Sequence, residues 1–260
     1  MKFKIVIPSY NRIELLKERT LSFLEKHNMC KKLIYIFVVE EEYTKYKKEL
    51  HDDYNIVIGK LGISNQRGFI SEYFDEGVGL VSMDDDIKEI HELYFSKTNK
   101  KKLRPLPDGG FKQLLYQTFI EMRQRSIRMC GFYPVKNPFF MSKTTSLDLK
   151  FCIGQFRLFF NFREIETNRK YTLLEDYETT LKYFLYDDSK IMRKNFICME
   201  ADYNRLPGGL SDTADRRYIV KEKEVNDFYH DFQVYCFIKE RPPDRIDIGL
   251  KTKAGGLNIW

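Results

Sequence analysis

Three short stretches gather residue types that can do chemistry. In "GLVSMDDDIKEI" (Gly79–Ile90) an apolar run stops on Asp84, Asp85 and Asp86. Neighbouring like charges repel, so the cluster calls for a positive counterpart. In an extended chain alternate side chains face opposite ways, which puts Asp84 and Asp86 on one side and Asp85 on the other. Two hard carboxylate ligands suit Mg²⁺ or Mn²⁺, ions that keep waters and accept diphosphate oxygens as well. Such an ion neutralises the carboxylates and a leaving diphosphate together. The plainer reading is a solvated acidic loop capping the next helix. In "GISNQRGF", Gly62 permits a tight turn, and Asn65 and Arg67 follow in the first helical turn. Arg67 could reach a diphosphate, or it could be a surface Arg on an amphipathic helix. In "LLEDYETTL", Glu175 and Asp176 open a helical pattern. The helix dipole keeps carboxylates ionised there, and simple capping explains the charge equally well.

These residues need elements to position them. Lys2–Ile7 reads as a strand ending at Pro8, and Leu33–Val39, Asn55–Gly59 and Val78–Met83 read as three more. Between them lie helical patterns at Arg12–His27, Glu41–Leu50 and Ile63–Phe74, the last with Ile63, Phe69, Ile70 and Phe74 as its inward side. Such alternation predicts a parallel sheet with helices on both faces. The aspartates then fall at the carboxyl end of a parallel strand, where open α/β sheets bind ligands. In the second half, Lys97–Gly110 reads as a polar, basic loop and Phe111–Arg125 as a helix. "IRMCGFYPV", "FCIGQFRLFFNF" and "KNFICMEADY" read as strands, Leu173–Tyr186 as a helix, and an irregular tail opens at Arg241.

The bulk numbers narrow the class. A chain of 260 residues with 43% hydrophobic content is long enough for one globular domain with a sizeable core. No apolar run reaches bilayer-spanning length, and the short stretch before Pro8 is no secretory signal, so no membrane partner is expected. Five cysteines without CxxC spacing fit reduced thiols in the cytoplasm. A net charge of +6 is compatible with a polyanionic partner or an anionic small substrate.

Taken in order, "IVIPSYNR", "VVEEE", "GISNQRGF", "MDDD" and "LLEDYETTL" resemble a GT-A fold glycosyltransferase of the large inverting family 2. The resemblance spans about residues 3–186. It implies a Rossmann-like, mostly parallel central sheet flanked by helices, with a smaller acceptor-side extension. It further implies a single domain over 1–240, with a nucleotide-binding half at 1–95, an acceptor-binding half at 96–240 and a tail at 241–260. Pro8, Ser9, Tyr10 and Arg12 fall on the family's first nucleoside-binding loop, and Glu40 on its second-strand acid, usually Asp. Tyr10 can stack on a base, and a carboxylate can accept from uracil N3–H. Gly62, Asn65 and Arg67 fall on the glycine-rich helix entry, although Gln66-Arg67-Gly68 departs from the family's Ala-Arg-Asn. Asp84 takes the ribose-side position and Asp86 the metal position, with Asp85 beside them. Glu175 and Asp176 fall on the pair that carries the general base, with Asp176 the first choice. The implied cofactors are a UDP-sugar donor and Mn²⁺ or Mg²⁺.

For the acceptor, "ADYNRLPGGLSD" reads as a loop able to close over the donor, and Arg216 and Arg217 follow it. Lys100, Lys101 and Lys102 make a basic cluster. In "QFRLFFNFR", alternation sets Arg157, Phe159, Asn161 and Arg163 on one strand face and Phe156, Leu158, Phe160 and Phe162 on the core face. The first face could meet a phosphate backbone, or be an ordinary solvated face. The chain also resembles the phage enzymes, related to TET- and base-J-associated proteins, that glycosylate hydroxymethylated pyrimidines. That narrower resemblance implies a modified DNA acceptor and transfer of glucose, with no obligate protein partner. The rival expectations are the same chemistry on a saccharide or protein hydroxyl, and a non-catalytic binding module.

Overall fold

The computed structural model describes residues 3–201, 214–241 and 245–252. The first half alternates as the pattern requires. Strand β1 (Phe3–Pro8) leads to α1 (Ile13–Leu16), a π-helical turn (Lys17–Leu21) and α2 (Ser22–Lys26). Then follow β2 (Ile34–Val38), α3 (Glu40–Glu49), β3 (Asn55–Ile58), α4 (Ile63–Tyr73) and β4 (Gly79–Met83). The second half runs β5 (Ile87–Phe95), β6 (Lys101–Pro105), α5 (Gly110–Gln124), β7 (Met129–Tyr133), β8 (Thr145–Ser146) and β9 (Phe156–Phe160). It ends with α6 (Arg163–Thr167), α7 (Glu175–Tyr186), β10 (Met192–Ala201), α8 (Ala214–Phe232), β11 (Cys236–Arg241) and β12 (Arg245–Leu250).

One large sheet carries the order β3-β2-β1-β4-β9-β7-β10-β5-β6, with β8 beside β10. Strands β1, β2, β3, β4, β6, β7 and β10 point one way, and β5, β8 and β9 oppose them. The sheet is therefore mostly parallel in direction, and helices cover it on both sides. Ile5 and Ile7 of β1 join the core that includes Phe111 and Phe119 of α5, while Val6 joins the core that includes Ile70 of α4 and Leu181 of α7. Burial on both faces is why these strands read as continuous apolar runs. Among the described residues no helix is long and apolar enough to cross a membrane.

Several elements differ from the sequence reading. The aspartates lead into strand β5, not a helix, and β6 lies within the stretch read as a basic loop. Ile87, Ile90 and Leu93 recur every third residue, a spacing that suits a helix; antiparallel pairing with β10 and β6 decides for the strand. Residues 245–250, read as irregular tail, pair with β11 as β12. On α4 the buried residues are Gln66, Arg67, Ile70 and Ser71, with Phe74 just beyond, whereas Ile63 and Phe69 are only half-buried.

The β9 face read as solvated or DNA-facing is internal. Strand β9 sits between β4 and β7, and Arg157, Phe159 and Asn161 are all buried. Asn161 instead closes the carboxyl end of α4. Its Nδ2 donates to Ser71 O and Phe74 O, both at 2.9 Å, and its Oδ1 accepts from Ser71 Oγ at 2.6 Å. Arg163 assists, donating from Nη2 to Phe74 O at 2.8 Å. Helix carbonyls left over at that end are thereby satisfied. The loop around Gly208 and Gly209 lies outside the described residues, as do the side chains of Arg216 and Arg217.

Asn161→Ala should leave these buried carbonyls without donors and cost about 2–4 kcal/mol of stability, read as a lowered urea midpoint. An unchanged midpoint would remove the capping role.

Candidate active site

At the carboxyl ends of β1 and β4 lies a cleft of about 390 Å³. The end of β1 and the loop after it supply Pro8, Ser9, Tyr10 and Arg12, and the turn after β4 supplies Asp84, Asp85 and Asp86. The amino end of α4 contributes Lys60, Gly62, Gln66 and Arg67. The approach to β9 contributes Gly154 and Gln155, and the start of α7 contributes Glu175 and Asp176. Gly62, with φ +89°, turns the chain into α4 and directs that helix's free amide groups toward the cleft rim.

The three aspartates occupy a turn rather than an extended segment, so all three border the cleft and the alternation argument fails. Thr20, in the π-helical turn, holds both ends of that turn: its Oγ1 donates to Asp84 O at 2.7 Å and accepts from Ile87 N at 3.0 Å. The carboxylates then have distinct partners. Asp84 accepts from Arg67 Nη2 at 3.2 Å. Asp85 is buried, accepts from Ser9 Oγ at 2.8 Å and faces Arg12 Nη1 at 3.6 Å. Burial pushes the Asp85 carboxyl up to about 7, the charges of Asp84 and Asp86 add to the rise, and Ser9 and Arg12 oppose it. Asp86 is also buried at the cleft wall.

Across the cleft, Arg67 is the positive counterpart that the acid cluster demands. It is 6% exposed and bridges Asp84 to Glu175. Gly154 lies against its guanidinium so closely that a Cβ there would collide with it. Behind it, Arg169 faces Glu175 at 3.7 Å and also pairs with Glu166, which Arg157 meets at 3.0 Å. Asp176, next to Glu175, accepts from Tyr177 N at 3.0 Å. Burial raises the Asp176 carboxyl above its ordinary range, against the pull of Arg67, the Gly154 amide and Arg157.

The structure thus brings together Pro8, Ser9, Tyr10, Arg12, Gly62, Arg67, Asp84, Asp85, Asp86, Glu175 and Asp176. Other expected residues fall elsewhere. Glu40 is exposed in the first turn of α3, and Val39 lines the cleft in its place. Glu42, the last of the three quoted acids, accepts from Asn11 N at 2.9 Å and so steadies the β1 loop. Asn65 turns away, donating to Leu61 O at 3.1 Å. Arg157 is 1% exposed and paired with Glu166, so it has no surface to offer DNA. Arg163 leaves β9 at the end paired with Gly79, opposite the cleft. Lys100, Lys101 and Lys102 lie on or beside β6, the outermost strand, five places from β4. Lysines on such an edge also discourage strand addition.

Lys60, Gln66, Gly154, Gln155 and Arg169 border or back the cleft without having been singled out. Gln66 stood within a quoted motif. It accepts from Lys60 N at 2.6 Å and shapes the wall. Nothing local marks Gly154, which matters through Arg67, far away in sequence; Arg169 acts through the nearby Glu166 and Glu175. Among the described residues no group of three or more His, Cys, Asp and Glu side chains could hold a metal ion. Asp84 and Asp86 would serve only as part of a shell completed by ligand oxygens and water, a fit that two hard oxygen donors at an open cleft allow.

No family model matches the chain, and no curated protein matches it. Solved structures do. The bifunctional IspDF from Campylobacter jejuni matches with TM-score 0.40 and 9% identity, over 70% of this chain and 47% of that one. A mannosyltransferase from Pyrobaculum calidifontis, in complex with GDP-Man and Mn²⁺, matches with TM-score 0.46 and 12% identity, over 74% and 56%. A cytidylyltransferase from Leptospira borgpetersenii matches with TM-score 0.45 and 13% identity, over 88% and 87%. The chain therefore spans about half the length of the first two.

Asp85 holds its proton more tightly in the folded chain than an ordinary carboxyl near 3.8. With chelator present, stability should be fullest below pH 4 on this account and decline by on the order of 1 kcal/mol or more as pH rises toward 7. Asp85→Asn should flatten that slope in denaturant titrations at pH 5 and pH 7.5; an unaltered slope would assign it to other groups.

Proposed function

We propose that the chain is a metal-dependent, inverting glycosyltransferase that moves a sugar from a nucleoside-diphosphate sugar to a hydroxyl acceptor. The observation carrying this reading is the pair of acidic walls across one cleft, Asp84–Asp86 at the sheet rim and Asp176 at the start of α7, with Arg67 between them. One wall suits a cation and a diphosphate, and the other suits a proton acceptor.

Tyr10 offers an exposed ring beside Ser9 for the base. The amino end of α4, with Lys60 and Arg67, offers positive potential to the diphosphate. Asp84 and Asp86 would hold Mn²⁺ or Mg²⁺, which when bound supplies charge neutralisation to the departing diphosphate. The acceptor oxygen attacks the anomeric carbon, the bond from that carbon to the diphosphate oxygen breaks, and Asp176 takes the acceptor's proton. Glu175 suits the base role less well, because Arg67 and Arg169 both engage its carboxylate. Asp176, raised by burial, is a stronger base once ionised.

UDP-glucose remains the first donor to try. A hydroxymethylated DNA acceptor has lost the β9 residues proposed to contact it, so the acceptor panel should include oligosaccharides and peptides beside that DNA. Asp176→Asn should retain UDP-sugar binding and lose about 10²–10⁴-fold in transfer; near-normal turnover would move the base elsewhere. Asp86→Ala should abolish the Mn²⁺ dependence of UDP binding in calorimetry, and an unchanged dependence would remove it from the metal site. Pyrophosphate release from a nucleoside triphosphate, in place of sugar transfer, would overturn the glycosyltransferase reading.

A further inference from the structure

The outer end of the sheet carries a second surface that the cleft chemistry does not use. Phe139 is 74% exposed, Phe140 64% and Phe95 39%. The first two sit on a 3-10 turn, Pro138–Phe140, between β7 and β8. That turn is firmly built. Asn137 Oδ1 accepts from Phe139 N at 3.0 Å, and Pro138 sets the backbone angle of the turn's first residue. Lys101 Nζ donates to Phe139 O at 3.0 Å and to Met141 O at 2.7 Å, and Met141 itself is fully buried. The turn is anchored on both sides while its two largest apolar side chains project into solvent. Rigid presentation lowers the entropy lost on docking.

The surroundings carry an excess of positive charge. Lys143 Nζ lies 5.1 Å from the centroid of the Phe95 ring. The segments 93–107 and 133–147, which help build this end, contain seven Lys or Arg; Arg104 pairs with Glu92 of β5 and Lys136 with Glu200 of β10, which leaves five positive charges beyond those two ion pairs. Projecting aromatic rings set in a positive field match a layer with negative headgroups above an apolar interior.

We propose that this patch docks the protein on anionic phospholipid bilayers, with Phe139 and Phe140 entering the boundary between headgroups and acyl chains and the lysines resting on the phosphates. This surface attachment departs from the expectation of no membrane partner, and it stands whether or not the cleft transfers sugar. Two other occupants fit less well. The planes of the Phe139 and Phe140 rings are 90° apart at 4.8 Å, so they cannot both stack on successive bases of a nucleic acid strand. A second copy of the chain joined through this face would set one basic field against another.

The test is co-sedimentation of the full chain with phosphatidylcholine vesicles, with and without phosphatidylserine, beside the variant Phe139→Ser/Phe140→Ser. Both rings are exposed, so the variant should keep its circular dichroism and thermal midpoint. The unaltered chain should sediment with the phosphatidylserine vesicles only, and added salt should release it. The variant should bind them about tenfold or more weakly. Failure of the unaltered chain to sediment with phosphatidylserine vesicles at low salt would overturn the proposal. So would a variant that binds them equally well, or one that alters only self-association or oligonucleotide binding.

Discussion

A buried guanidinium holds the cleft together. Three successive carboxylates at a strand end repel one another, and a fourth and fifth face them from α7. Arg67, 6% exposed, bridges Asp84 and Glu175 and makes that concentration of negative charge tolerable. Its own burial weakens its hold on a proton, and Asp84 pulls the other way without cancelling that effect. Removing one partner of such a buried pair costs about 3–5 kcal/mol, because the other is left charged without compensation. The wall formed by β4 and the wall formed by α7 are therefore coupled through one side chain, and the shape of the cleft depends on it.

The coupling continues inward. Glu175 meets Arg169, Arg169 meets Glu166, and Glu166 meets Arg157 of β9. Opposite charges alternate from the cleft to the middle of the sheet, each nearly excluded from water. Low dielectric strengthens every link and penalises every gap. The series also explains a chemical division within the acid pair. Glu175 is consumed by the arginines, whereas Asp176 is held by the amides of Gly154 and Tyr177 and keeps a raised proton affinity.

The elements that carry these residues are fastened at their far ends. Asn161 and Arg163 close the carboxyl end of α4, so its amino end and Arg67 keep their place. Thr20 clamps the turn of the aspartates from a π-helical segment, a distortion often found at functional sites. The Ser9 hydroxyl links the β1 loop to Asp85 and lies 2.8 Å from the Tyr46 hydroxyl of α3. Rigid supports of this kind are what a positioned constellation of charges requires.

Local pattern determined the alternating strands and helices up to Met83 and a ligand-binding edge at the strand ends; the loop Pro8–Arg12 entered through the resemblance of its motif. Apolar periodicity and acid clusters are properties of short stretches, so Asp84–Asp86, Arg67 and the Glu175–Asp176 pair were legible before any contact was known. Tertiary structure alone decided which charges are internal. The alternation in β9 is real, yet Arg157 and Asn161 are buried, because α6 and α4 pack over that face and supply Glu166 and Ser71 as their partners. The same holds for Glu40, displaced by the way α3 begins, and for Gly154, whose role exists only through Arg67, far along the chain. Sequence spacing records which side a residue takes; what covers that side is set by distant pairing, and burial reverses the meaning of a charge.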